Sequence, residues 1–63
     1  MNAKQFTAAL KRLELSHHSA AAVLGVGRNS VIRYAHGRTE VPVSVERLID
    51  MLTRHGIPEE YAQ

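Results

Sequence analysis

Residues 15–38 run LSHHSAAAVLGVGRNSVIRYAHGR, two short helix-forming segments joined by a link bounded by glycines. Ser16 is a good N-cap, because its hydroxyl can accept from an otherwise orphaned backbone N–H. The alanine-rich run that follows has strong helix propensity, so a helix is expected over about 16–24. Gly25 stops it, at a place where a left-handed residue is needed. Only Gly25-Val26-Gly27 separates this helix from the next, expected over about 28–36 and ended by Gly37. So short a link makes the two helices cross at a large angle, and Ala20 and Ala21 are small enough to permit the close approach.

Outward from this pair the chain stays helical. Asn2 and Gln5 have the spacing of a capping box, with Met1 and Phe6 placed as a hydrophobic staple. Phe6, Ala9, Leu10 and Leu13 form an apolar stripe at i, i+3, i+4, i+7, which predicts a first helix from about Ala3 to Glu14. After a loop stiffened by Pro42, Val45, Leu48, Ile49 and Leu52 repeat the stripe. This predicts a last helix over about 44–55, capped by Ser44, with Val43 and Leu48 as a second staple. Gly56 and Pro58 end it. The expected fold class is all-α, a compact arrangement of four to five helices in one domain spanning residues 1–63.

Size and composition narrow the rest. A chain of 63 residues buries only about 60% of the surface it exposes when unfolded, so its stability alone is marginal. Such small domains add a disulfide, a metal or a partner. The sequence has no cysteine, which leaves self-association. The longest apolar run, Ala20 to Val26, is far short of the roughly 20 residues that span a bilayer. No signal segment is evident, and a cytoplasmic protein fits. The net charge of +2 is unevenly spread. Residues 1–39 carry Lys4, Lys11, Arg12, Arg28, Arg33 and Arg38 against Glu14 alone. Residues 40–63 carry Arg47 and Arg54 against Glu40, Glu46, Asp50, Glu59 and Glu60. A basic first part suits a polyanionic partner, with the acidic tail directed away from it.

At 100° per residue, Val31, Tyr34 and Ala35 share one face of the third helix, which is expected to point inward. Arg28, Asn29, Ile32, Arg33 and His36 share the other. Arginine can hold guanine O6 and N7 with two bonds, and asparagine can hold adenine N6 and N7. Ile32 is the apolar member of this polar face. It either packs at the edge of the core or touches a thymine methyl.

The stretch 15–38 resembles the phage-repressor, Cro-like helix-turn-helix family. The family's small alanine within the second helix matches Ala21, and its glycine and hydrophobic turn residues match Gly25 and Val26. Its buried aliphatic and aromatic positions match Val31 and Tyr34, and its closing glycine and basic residue match Gly37 and Arg38. The likeness extends over roughly residues 3–55. It implies a lambda-repressor-like fold and a double-stranded DNA partner, with Arg28, Asn29, Ile32 and Arg33 reading bases. By the same resemblance Ser16 and His17, at the positive end of the second helix, hold phosphate. His36, Arg38 and Thr39 also meet the backbone. The implied function is a dimeric repressor, or autorepressor, of a palindromic operator, similar to compact phage and mobile-element regulators that include those encoded beside anti-CRISPR genes.

The chain departs from the pattern in places. Gly27 replaces the usual hydroxyl cap of the recognition helix. Leu10 and Ala35 stand where many members have an ion pair, so an apolar contact is expected there. The sequence is also short of the family's full fifth helix, and the dimer contact is expected instead at Met51, Ile57 and Tyr61, residues that otherwise fold back to cap the core. A different class of function, a protein-interaction module such as an antitoxin that binds its partner through this C-terminal apolar surface, is the alternative. RNA binding is disfavoured, because the exposed face has no stacking aromatics.

Other chemistry is not expected. His17 and His18 are adjacent and diverge on a helix, and no thiolate supports His36 or His55, so no metal site is read. Glu46 and Asp50 read as a solvated face. No nucleophile, phosphate loop or buried carboxylate pair appears, which argues against an enzyme, a cofactor or a small-molecule ligand.

Overall fold

The computed structural model describes residues 1–57 and contains four helices among them: α1 (Ala3–Arg12), α2 (His17–Leu24), α3 (Arg28–Ala35) and α4 (Val43–His55). No strand occurs among the described residues.

Local chemistry explains most of the helix boundaries. The Gln5 N–H donates to Asn2 Oδ1 at 2.8 Å while the Asn2 N–H donates to Gln5 Oε1 at 2.9 Å, closing the capping box. Met1 and Phe6 both join the core, Phe6 with no exposed surface. At the start of α2 the Ser19 N–H donates to Ser16 Oγ at 3.1 Å. Gly25 then turns left-handed at φ 68°, and the Val26 N–H reaches back to the Ala21 carbonyl at 3.1 Å. Gly27 precedes α3 without any side-chain cap.

Three boundaries differ from the sequence reading. The first helix ends at Arg12 rather than Glu14. Glu14 is left-handed at φ 59°, the one non-glycine residue with positive φ among the described residues. The Leu15 N–H reaches the Leu10 carbonyl at 2.9 Å and the Glu14 N–H reaches that of Lys11 at 3.0 Å. This is the 6→1, 5→2 closure of a Schellman end. It returns Leu15 to the core, a tertiary demand that helical periodicity does not report. The same closure ends α3 one residue early, with Gly37 at φ 73° and the Arg38 N–H on the Arg33 carbonyl at 2.9 Å. The last helix begins one residue early, at Val43. Pro42 is its N-cap, and its carbonyl accepts from the Glu46 N–H at 3.0 Å. Ser44 is therefore inside the helix. Val43 is 63% exposed, so the staple with Leu48 does not form. Val41 is buried instead and anchors the loop.

A single core holds these elements together: Phe6 and Leu10 from α1, Ala20 and Leu24 from α2, Val31 and Tyr34 from α3, and Val45, Ile49 and Leu52 from α4, closed by Val41. The Phe6 and Tyr34 rings meet edge to face, with centroids 5.5 Å apart and planes at 78°. Such a contact adds about 0.5–1.5 kcal/mol beyond the burial of the rings. Ala20 is completely buried, as expected where α2 and α3 pack closely. Leu10 belongs to this cluster and Ala35 packs against it. Helix α3 packs on α1 and α2, and α4 packs on the same two helices. The N-terminal ammonium of Met1 pairs with Glu46 at 2.9 Å, linking the start of α1 to the first turn of α4. None of the described helices is long and apolar enough to cross a membrane.

Candidate nucleic-acid interface

The outer face of α3 is built by what the inner face must bury. Val31 and Tyr34 enter the core, and helical geometry then turns Arg28, Asn29, Arg33 and His36 outward, where all four are exposed. Arg28 and Asn29 occupy the first turn, the part of a recognition helix that reaches base edges. Ile32 sits among them, partly buried, and lies outside the core cluster.

The cations of this surface form no ion pair among the described residues. Among the described residues no carboxylate lies within ion-pair range of Arg28, Arg33 or Arg38. The ion pairs that do form, Met1 with Glu46 and Asp50 with Arg54, both involve α4. Among the described residues nothing competes by charge for the guanidinium groups of α3 and its following loop, which suit a phosphate or a guanine edge.

The residues assigned to phosphate surround this helix. His36 is the C-cap of α3, and Arg38 and Thr39 follow it, all exposed. Ser16 and His17 are exposed at the start of α2. Ser16 is partly committed already: its hydroxyl accepts from the Ser19 N–H and donates to Ser19 Oγ at 3.1 Å. What that end of α2 offers an anion is chiefly backbone, the N–H groups of His17 and His18, which precede the first intrahelical bond. His18 is absent from the phosphate positions that the sequence suggests, although counting the orphan donors of the helix finds it. Glu40, exposed beside Thr39, places a negative charge at the edge of this loop.

The three residues expected at a dimer contact separate. Met51 is 50% exposed on α4. Ile57 is partly buried against the core. Tyr61 lies outside the described residues. Among the described residues the other large exposed apolar side chain is Val43. An open groove of about 770 Å³ runs between α1 and α4, lined by residues that include Ala8, Arg12, Val43, Arg47 and Asp50, and shares none with α3. Among the described residues no three His, Cys, Asp or Glu side chains come together to hold a metal ion.

One family model matches the chain over residues 1–60, that of the antitoxin component of bacterial toxin–antitoxin system, MqsA. No curated protein and no solved structure gives a significant match. At the level of a small helix-turn-helix regulator this accords with the resemblance drawn from residues 15–38.

Proposed function

The chain belongs to the MqsA antitoxin family of bacterial toxin–antitoxin systems, and from that premise we propose that it is a sequence-specific, double-stranded DNA-binding repressor acting as a homodimer in the cytoplasm. The observation that carries this reading is the outer face of α3. Its side chains Arg28, Asn29 and Arg33 are exposed, free of carboxylates among the described residues, and mounted on a helix whose other face is locked into the core.

In this reading α3 lies in the major groove, with Arg28, Asn29, Ile32 and Arg33 against base edges. Ser16, His17, His36, Arg38 and Thr39 hold the flanking phosphates and set the register. With extents of 31 × 20 × 18 Å, one copy spans about one turn of duplex, so two copies related by a two-fold axis read half-sites roughly 34 Å apart. The operator is then an inverted repeat, and repression follows from occlusion of a promoter, the chain's own being the simplest case.

A second reading has its own support. The family is defined by antitoxins, and the exposed Val43 and Met51 give α4 an apolar surface on which a toxin would dock. The two readings are compatible on one molecule, because the surfaces lie on different helices.

The test is selection of bound duplexes from random DNA, followed by titration of an Arg33→Ala variant. Loss of one bidentate contact weakens the selected site by about 1–3 kcal/mol and relaxes preference at one base pair. An equal loss on selected and random DNA rejects base reading by Arg33. Titration with the cognate toxin, without DNA, examines the second reading separately.

A further inference from the structure

We infer that Ile32 reads the C5-methyl group of a pyrimidine beside the base held by Arg28, so that affinity depends on thymine or 5-methylcytosine at that position. This rests on the base-reading role proposed for α3 and goes further by naming the chemical group that is read.

The core already takes what it needs from α3. Val31 has no exposed surface, Tyr34 is 8% exposed, and Ala35 packs against the same cluster. Ile32 is outside that cluster and only partly buried. It is the sole apolar side chain on the outward face, with exposed Arg28 one turn before it, exposed Asn29 three residues before it and exposed His36 one turn after it. Side chains at i and i+4 on a helix stand about 5–6 Å apart at Cβ, against about 3.4 Å between successive nucleotides of a strand. Arg28 and Ile32 therefore reach the same or adjacent steps of a duplex in the groove.

Polar side chains there can be matched by many edges, but an isoleucine cannot. The apolar feature that the major groove presents is the methyl at C5 of thymine. Cytosine methylated at C5 carries the same group at the same ring position, while uracil and plain cytosine lack it. An isoleucine, β-branched and stiff at χ1, loses little freedom on meeting that methyl. It excludes water from the neighbouring Arg28–guanine bonds at the same time, which strengthens them.

The experiment changes the DNA and leaves the protein intact. Duplexes selected with the full chain are remade with each thymine replaced in turn by uracil, and Kd is measured by fluorescence anisotropy. One position per half-site is expected to weaken roughly fourfold on losing its methyl, the size of one buried methyl group. With cytosine at that position, methylation at C5 recovers a similar factor. The Ile32→Ala chain, its helicity checked by circular dichroism, binds thymine and uracil duplexes alike. The inference is overturned if no thymine responds, or if Ile32→Ala keeps the same discrimination. Response to thymine with no gain from 5-methylcytosine overturns the part that concerns methylated cytosine. If selection recovers no preferred duplex at all, the base-reading role of α3 falls first and this inference falls with it.

Discussion

Arg38 and Arg33 carry the same charge and are exposed alike, yet their places in the chain assign them different work. Arg33 is inside α3 and is proposed to meet bases. Arg38 follows the left-handed Gly37, on backbone leaving the helix, and is proposed to meet phosphate. A phosphate contact releases counterions without regard to sequence. Arg38→Ala is therefore expected to weaken selected and random duplexes by the same factor and to lower the slope of log K against log salt by about one. Binding measured across a salt series checks this, and an unchanged slope removes Arg38 from the phosphate set. Residue identity made the cationic face and the Ser16 cap legible, but it did not tell that the Ser16 hydroxyl also donates to Ser19 Oγ, because that depends on which rotamers the two side chains adopt.

At the scale of the element, two helix ends use the same closure with opposite residues. α1 ends with Glu14 at φ 59° and α3 ends with Gly37 at φ 73°. A side chain in the left-handed region costs about 1–2 kcal/mol, offset in part because glycine loses more entropy on folding. Glu14→Gly is accordingly expected to stabilise the chain by about 0.5–1 kcal/mol, which raises Tm by several degrees in a domain this small. For Gly37→Ala the sign reverses. A Cβ there lies 3.4 Å from that of Ala3, an ordinary contact, so the cost is conformational, about 1 kcal/mol. Thermal unfolding of the two variants measures both, and a drop in Tm for Glu14→Gly contradicts the account of that turn. The glycine end was legible because glycine is the usual residue at that position. The glutamate end was not, because propensity and the apolar stripe both continued the helix through Leu13, and only the return of Leu15 to the core shows why it stops.

For the whole molecule, the distribution of charge and the marginal size point the same way. Among the described residues Arg28, Arg33 and Arg38, on α3 and its loop, have no carboxylate partner, while the ion-paired carboxylates Glu46 and Asp50 lie on α4. A duplex approached α3-first thus meets the positive side, and α4 is left for another protein surface. If a second copy uses that surface, Met51→Glu places a charge in the contact. The variant is expected to sediment as a monomer, to keep its helical spectrum, and to lose affinity for an inverted repeat far more than for a single half-site. A dimer of undiminished stability would move the contact elsewhere, with exposed Val43 the next surface to examine.

Local chemistry in the sequence was enough to set the number and order of the helices, the capping box at Asn2, the glycine-bounded turn between α2 and α3, and which face of α3 turns outward. Each depends on residues within a few positions of one another, whose spacing and conformational limits do not change with context. Tertiary structure alone decided where α1 stops, that Pro42 rather than Ser44 begins α4, that Val41 is buried while Val43 is exposed, and that Ile57 leans on the core. Those outcomes depend on which distant apolar surfaces are available to cover a side chain, and such surfaces exist only once the helices have packed.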